Sequence, residues 1–188
     1  MFNDSLLQFA RWLESQPFSI GLHESFYMYN WIESVHVMTL AVSLGMLCII
    51  DLRMLGVCLT KVPATTIAER LNRPMLIGFG IMVVTGIVLF SAIPVRTTQS
   101  LWFRTKLVLL FAALINAVLF HRHLRASSGS WDTAPVPPRR TRVAAGLSLA
   151  LWAGVIVTGR FIAYDWFDCG EANPAWIDAA IGCVSPSI

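Results

Sequence analysis

Residues 74–93 have the sequence PMLIGFGIMVVTGIVLFSAI, and they decide the fold class because they include no charged side chain. An α-helix rises about 1.5 Å per residue, so this stretch spans about 30 Å, the thickness of the hydrocarbon core of a bilayer. Proline lacks a backbone N–H and is favoured at the first position of a helix, so we expect Pro74 to open this one. The stretch therefore predicts a transmembrane helix over about 74–93.

Three further apolar stretches predict transmembrane helices at about 31–50, 101–120 and 143–164. In lipid every backbone N–H and C=O needs a partner within the protein, so only helices or closed β-barrels cross a membrane. Uninterrupted apolar runs differ from the alternating strands, about ten residues long, of a barrel. The expected fold is all-α, an integral membrane bundle of four transmembrane helices, with residues 1–188 as a single membrane domain.

The composition excludes a soluble globular domain. Hydrophobic residues make up 56% of the chain and charged residues 13%, whereas soluble domains carry roughly 25% charged residues. The first residues include Asp4 and Glu14 and have no basic segment before an apolar one. We therefore expect no secretory signal peptide, and we expect the helices themselves to direct insertion into the membrane.

The distribution of charge predicts the topology. With four spans, both termini and the loop near Pro94 share one side of the membrane. Nine of the fourteen Lys and Arg residues lie on the other side, whereas eight of the eleven Asp and Glu residues lie on the side of the termini. Basic residues mark the cytoplasmic side, so we expect a multi-pass protein of the bacterial inner membrane, N-out and C-out, with both termini periplasmic. The net charge of +3 is thus a topology signal; we expect the lipid bilayer, and no nucleic acid, as a partner.

Residues 1–26 predict an outer interfacial segment that contains an amphipathic helix. Its apolar residues recur at helical spacing between polar ones: Leu6, Phe9, Ala10 and Leu13. Such a helix lies in the plane of the membrane interface, and we expect Pro17 to end it. On the cytoplasmic side, the Ser-, Gly- and Pro-containing stretch 125–140 predicts a flexible, solvated linker.

Residues 165–188 predict a periplasmic tail that holds Cys169 and Cys183, with thirteen residues between them. In the oxidising periplasm such a pair can form a disulfide, which would close a small loop and contribute on the order of 3 kcal/mol. The alternatives are two free thiols or a metal site. No nearby histidine supports a metal site, so the disulfide is the favoured interpretation.

A polar stripe runs along the first predicted transmembrane helix. At 100° per residue, four side chains fall within about 60° of one line: Glu33, His36, Ser43 and Asp51. Ionisable residues inside a span are functional candidates by default. We expect this stripe to face the interior of the bundle.

The outer end of the bundle is the candidate site. His36 lies about 8 Å below the outer edge of the hydrocarbon, and Arg160 enters the same layer from the fourth helix, with Glu33 and Lys106 close by. In one interpretation Glu33 and Arg160 form a buried ion pair and His36 is structural. In the other, His36 is an axial haem ligand with basic residues for the propionates, or it lines a quinone pocket.

His121 is the second candidate ligand, at the inner end of the third helix. It differs in depth from His36 by roughly 20 Å, so the two histidines cannot ligate one haem iron from its two sides. Methionine can also serve as an axial ligand, and Met28, Met38 and Met82 are available. The alternative for His121 is a snorkelling interface residue among arginines.

Small residues repeat every four positions on the fourth helix: Gly146, Ala150, Gly154 and Thr158. This ridge allows close approach of another helix, either within the chain or from a partner subunit or second copy. No catalytic motif is evident: the sequence has no phosphate-binding glycine loop, no Cys-x-x-Cys and no His-Glu-x-x-His. We therefore expect a protein without catalytic activity of its own.

An ordered set of residues resembles a known family: His36; 51–56 (DLRMLG); 85–90 (TGIVLF); Phe103 and Lys106; Asn116; Phe120 and His121; 148–152 (SLALW); Gly159 and Arg160. Over about residues 5–165 the chain resembles a bacterial family of uncharacterised four-helix inner-membrane proteins, which implies the four-helix fold. More distantly it is similar to copper-resistance membrane proteins and cytochrome-b-like four-helix proteins, a likeness of fold alone. The cysteine-containing tail departs from the family pattern, which suggests a particular partner or a specialised outer surface.

Three functional hypotheses follow. The leading one is an inner-membrane subunit associated with redox or electron transfer that binds haem b or a quinone near His36, since bundle interiors are natural cofactor sites. The second is a cofactor-free membrane scaffold or accessory subunit that uses the glycine ridge and the tail. The third is metal or small-solute transport, with Glu33, His36 and Met38 as the entry site.

Overall fold

A computed structural model of the chain describes residues 2–25, 27–127, 131–164, 167, 169 and 173–183. The described residues are all-α, as the sequence predicts. The α-helices in chain order are α1 Phe2–Glu14, α2 Pro17–Glu24, α3 Met28–Leu55, α4 Ala64–Ala92, α5 Pro94–Thr98, α6 Leu101–Ser127, α7 Arg139–Phe161 and α8 Ala175–Ile181. A short 3-10 helix, Ile162–Tyr164, follows α7.

Four of these helices, α3, α4, α6 and α7, are long and apolar enough to cross a membrane. The prediction of four such helices is confirmed. The interfacial segment contains two helices where the sequence predicted one. Pro17 ends α1 as expected, but it also occupies the first position of α2, where its missing N–H leaves no hydrogen bond unmade.

Helix α4 begins ten residues before the predicted span, so the prediction that Pro74 opens the helix is wrong. The cause lies in the loop between α6 and α7. The Asp132 carboxylate accepts hydrogen bonds from the backbone N–H and from the hydroxyl of Thr65, both at 2.7 Å. These bonds satisfy the first turn of α4 and fix its start at Ala64, which leaves Pro74 inside the helix.

The chain divides into two compact units. We call Met1–His36, Val83–Val108 and Ile156–Ile188 the terminal unit, because it contains both chain ends. We call Val37–Met82 and Leu109–Val155 the central unit. Each of the four long helices contributes residues to both.

In the terminal unit, aromatic side chains pack the helices together. Phe90 of α4 stacks on Phe103 of α6 at 5.6 Å between ring centroids, and Trp102 of α6 lies 4.7 Å from Phe161 of α7. Helix α1 packs against α5. The hydroxyl of Ser19, on α2, donates a hydrogen bond to the carbonyl of Ser91, on α4, and so ties the interfacial segment to a long helix.

In the central unit, the core is a cluster of buried residues: Ile50, Met54, Ala64, Ile67, Trp131 and Ala145. Trp131 comes from the α6–α7 loop and is 7% exposed. The prediction of a flexible, solvated linker is therefore wrong for this end of the loop, because a buried indole anchors it. Residues 128–130 of the predicted linker lie outside the described residues.

Arg53, near the end of α3, holds the same loop through hydrogen bonds to its backbone. Its guanidinium is fully buried and donates to three backbone carbonyls, those of Val62, Asp132 and Ala134, at 2.9–3.3 Å. Gly56 follows with a φ of +77°, and a Cβ there would lie 3.2 Å from the carbonyl oxygen of Pro135. Glycine thus permits both the left-handed turn and the close approach of the loop.

Candidate functional site

His36 is held in place by two consecutive residues of α4. Its ring is half-buried, and Nδ1 lies 2.8 Å from the hydroxyl oxygen of Thr85. A Cβ added at Gly86 would come within 3.4 Å of Cε1 of the same ring. Thr85 therefore fixes the orientation of the imidazole, and Gly86 leaves the space that the ring occupies.

Lys106 belongs to the same unit and lies against α7. Its side chain is half-buried, and Nζ lies 3.4 Å from the position that a Cβ would take at Gly159. The missing side chain of Gly159 thus gives the lysine stem a path along the backbone of α7. The arrangement keeps the ammonium close to the backbone of α7.

Arg160 and Glu33 are both exposed. The Arg160 guanidinium donates a hydrogen bond to the Tyr164 hydroxyl at 3.0 Å and lies 5.0 Å from the centre of the same ring. The interpretation of Glu33 and Arg160 as a buried ion pair is wrong, since neither side chain is buried. The cation–π and hydrogen-bond contacts with Tyr164 hold the arginine at its own helix end instead.

The terminal unit contains four of the predicted site residues, Glu33, His36, Lys106 and Arg160. The fifth, His121, is exposed and belongs to the central unit. The polar stripe of α3 is buried in part. Ser43 and Asp51 face the interior, as predicted, whereas Glu33 does not.

The structure joins Cys169 and Cys183 in a disulfide, with Cα atoms 5.5 Å apart. This is the pairing that the sequence favours. The bond closes a loop that contains α8, whose C-terminal end is also held by Arg104 of α6. Of the predicted tail, residues 165, 166, 168, 170–172 and 184–188 lie outside the described residues.

Arg104, in the first turn of α6, joins several elements, and its sequence context does not reveal this. It donates to the carbonyls of Thr98, Ala180 and Ile181 and to the side-chain oxygen of Asn3. Two of these carbonyls end α8, where a cation complements the helix dipole. Arg104 therefore joins α1, α6 and α8 within the terminal unit.

The central unit holds a second polar site, between α3 and α7. Asp51 is 5% exposed, and its side chain hydrogen-bonds that of Ser148. One helical turn away, the Asn116 amide of α6 donates to the carbonyl of Ala144 at 3.1 Å. The sequence motifs quoted above include Asp51, Asn116 and Ser148. Only the structure shows that α7 contacts Asp51 through Ser148 and Asn116 through Ala144, one turn apart.

The two cavities of note are small. One, of about 230 Å³, is in the terminal unit and is lined by Glu14, Val95, Arg96, Gln99 and Cys169. The other, of about 280 Å³, lies between α3 and α4 in the central unit, with Met38, Ser43 and Gly78 among its lining residues. Cofactor pockets typically measure about 300–1,000 Å³, and His36 lines neither cavity.

These observations bear on haem. The structure holds Nδ1 of His36 against the Thr85 hydroxyl, and neither described cavity includes this ring. Among the described residues, no group of three or more His, Cys, Asp or Glu side chains could hold a metal ion. His36 therefore stays the candidate residue for either predicted redox ligand, haem b or a quinone.

Comparison with known proteins places the chain in a family. No curated protein and no solved structure matches it. A family model, described as a family of unknown function, matches residues 12–165. The match covers all four long helices and ends before the two disulfide cysteines. The chain belongs to this family, DUF6644.

Proposed function

We propose that the protein is a multi-pass subunit of the bacterial inner membrane, with both termini periplasmic, that serves a redox or electron-transfer system and binds a quinone near His36. The observation that carries the proposal is the fixed imidazole, with Nδ1 of His36 2.8 Å from the Thr85 hydroxyl. A histidine inside a span is a functional candidate by default. A ring nitrogen held by a hydrogen bond is how proteins orient an imidazole for a ligand or a proton.

The surface of the long helices supports the membrane location. Large apolar side chains are exposed along them, including Val108 at 69%, Ile77 and Phe111. Water would make such a surface unfavourable, whereas lipid accepts it. The excess of Lys and Arg on the side opposite the termini supports the orientation.

A quinone suits the terminal unit better than a haem does. A quinone carbonyl accepts a single hydrogen bond, which an oriented imidazole can donate, and it needs no second axial ligand. Lys106 adds a positive charge in the same unit. The likeness to cytochrome-b-like proteins that the sequence suggested would favour haem instead, and visible spectra distinguish the two ligands.

The proposal is tested on protein purified in mild detergent from cells supplied with haem precursor. The organic extract is analysed for quinone, and oxidised and dithionite-reduced visible spectra are recorded. We expect co-purified quinone, no Soret band, and loss of the quinone in His36→Ala. Thr85→Val keeps the shape of the threonine but removes the hydroxyl, so it should weaken retention without abolishing it.

A matched control is His121→Ala, because this histidine is exposed and lies in the other unit. It should leave the quinone content unchanged. A Soret band that disappears in His36→Ala would replace quinone by haem. Protein that carries neither cofactor, purified alongside a quinone-binding control, would refute the redox proposal.

A second candidate function is a cofactor-free accessory subunit. It is favoured by the exposure of Glu33 and Arg160 on spanning helices, since charged side chains in a span are normally covered by protein. Partner helices that contact these two positions would cover them. Glu33→Gln combined with Arg160→Gln should then release the co-purifying partner, whereas Glu69→Gln, an exposed acid of the central unit, should not.

The glycine ridge is a weaker basis for such an interface. A Cβ at Gly154 would lie 3.0 Å from Cδ1 of Leu109 on α6, and one at Gly146 would lie 3.9 Å from Leu55 on α3. The ridge is thus occupied at these positions by helices of the same chain. A larger residue at Gly154 would disturb this internal packing before it affected a partner.

A further inference from the structure

Asp51 is a carboxyl group buried in a membrane-spanning helix with an incomplete set of partners. Its side chain is 5% exposed and hydrogen-bonds Ser148 of α7. The other carboxyl oxygen, Oδ2, is buried and has no hydrogen-bond partner among the described residues. An ionised carboxylate normally accepts several hydrogen bonds or pairs with a cation. Here the structure supplies one polar contact.

The cation closest to Asp51 in the sequence is directed elsewhere. Arg53 lies two residues along α3, but its guanidinium donates to the carbonyls of the α3–α4 and α6–α7 loops. The guanidinium contacts three backbone carbonyl oxygens at 2.9–3.3 Å, and these bonds do not involve the Asp51 carboxyl. The buried arginine therefore does not neutralise the buried acid.

The remaining groups around Asp51 are neutral. On its own helix, the Cys48 thiol lies within electrostatic reach of the carboxyl. On α6, the Asn116 amide donates to the Ala144 carbonyl. Among the described residues, the Ser148 hydroxyl is the group that hydrogen-bonds the Asp51 carboxyl, and no charged side chain acts on it. A negative charge at this position would have no counter-ion among these residues.

Placing an unpaired charge in a low-dielectric interior is costly, so such a group takes up a cation or a proton. We propose that Asp51 is a proton-binding site: its carboxyl carries a proton at neutral pH, on the oxygen that faces Ser148. The protonated oxygen donates to the Ser148 hydroxyl, and Oδ2 becomes an uncharged carbonyl oxygen, which tolerates the lack of a partner far better than a carboxylate oxygen does.

The site links proton release to the packing of two helices. Loss of the proton would leave a carboxylate between α3 and α7 that must draw water or a cation into the contact. Proton occupancy and the α3–α7 contact are therefore coupled through Asp51 and Ser148. This gives the central unit a proton-carrying group that does not depend on any ligand at His36. The proton site and the quinone site are therefore tested independently.

Infrared spectroscopy of the full chain in detergent tests the proposal, in buffer free of Na⁺ and K⁺. A protonated carboxyl has a C=O stretching band that a carboxylate lacks. We expect such a band at pH 7 in the wild type, absent in Asp51→Asn, and moved to a different frequency in Ser148→Ala because one hydrogen bond is lost. Glu69→Gln removes an exposed acid of the same unit and should leave the band unchanged.

Each outcome decides the question. Asp51→Asn is the closest neutral mimic of a protonated aspartate and should keep the thermal stability of the wild type at pH 7. If it fails to fold, the shift in Ser148→Ala assigns the band instead. A wild-type spectrum without a protonated-carboxyl band at pH 7 would overturn the proposal. A band that disappears when Na⁺ or K⁺ is added at the same pH would overturn it in favour of a metal-cation site.

Discussion

The carboxylate of Asp132 caps α4 by accepting hydrogen bonds from both the backbone N–H and the hydroxyl of Thr65, which lies 67 residues earlier in the chain. The backbone carbonyl of Asp132 also accepts the N–H of Ala64. One residue of the α6–α7 loop thus satisfies three donors at the start of α4. Helix N-termini carry unpaired N–H groups and a partial positive charge, so a carboxylate stabilises this end in two ways.

Removal of this cap should destabilise the protein measurably. We expect Asp132→Ala to lower the free energy of unfolding by about 1–2 kcal/mol, the usual effect of losing an N-cap side chain. Asp132→Asn keeps one oxygen acceptor and should lose less. Unfolding in mixed detergent micelles, followed by circular dichroism, measures both variants. Equal stability of wild type and Asp132→Ala would show that the cap contributes nothing.

Even the conservative replacement of Arg53 by lysine should destabilise the protein. Arg53→Lys keeps the charge but cannot reach three carbonyls with one ammonium, so buried acceptors lose their donors. We expect a loss of about 2–4 kcal/mol in the same unfolding measurement. Arg70→Lys, an exposed residue on α4, is the control and should stay within about 0.5 kcal/mol of wild type.

The long helices could be predicted from the sequence because an apolar run of about 20 residues has one stable solution in lipid. The start of α4 could not, since it depends on Asp132 in a distant loop. The sequence also does not distinguish Arg53, which is fully buried, from Arg70, which is exposed. Both are basic residues near a predicted cytoplasmic helix end, and tertiary contacts alone separate them.

The candidate site was predictable to a similar extent. His36 stands out because an ionisable residue inside a span is energetically costly. Its partner Thr85 lies 49 residues away, and an uncharged threonine in an apolar helix does not stand out in the same way. Helical periodicity placed Asp51 on the buried side of α3 correctly and Glu33 incorrectly. Periodicity gives the direction of a side chain, but not how far the neighbouring helices cover that end of the helix.

Two independent attachments should hold the C-terminal helix α8. The Arg104 hydrogen bonds and the disulfide each restrain it, so loss of either alone should leave residues 173–183 resistant to protease. Arg104→Gln combined with Cys169→Ala and Cys183→Ala should give rapid cleavage there. The disulfide loop accounts for on the order of 3 kcal/mol. Timed proteolysis with mass spectrometry measures the cleavage, and Arg11→Gln, an exposed residue of α1, replaces Arg104→Gln as the control.

Gly78 of α4 lies close to Ser43 of α3, and this contact can be tested by comparing two alanine variants of α4. A Cβ at Gly78 would overlap the hydroxyl oxygen of Ser43 and lie 3.3 Å from its Cβ, whereas a Cβ at Gly80 would meet nothing within 4 Å. Both glycines lie on the same helix, two residues apart. Gly78→Ala must therefore push the helices apart or displace Ser43, and Gly80→Ala need not move any atom.

We expect Gly78→Ala to destabilise the protein by about 1–3 kcal/mol, the usual cost of overpacking a close contact. Gly80→Ala should be neutral or stabilising by up to about 1 kcal/mol, because alanine favours the helix. Ser43→Gly should rescue Gly78→Ala by removing both contacting atoms, and this combination separates a clash from a change in helix propensity. If the two alanine variants unfold alike, the close contact between α3 and α4 does not exist in the protein.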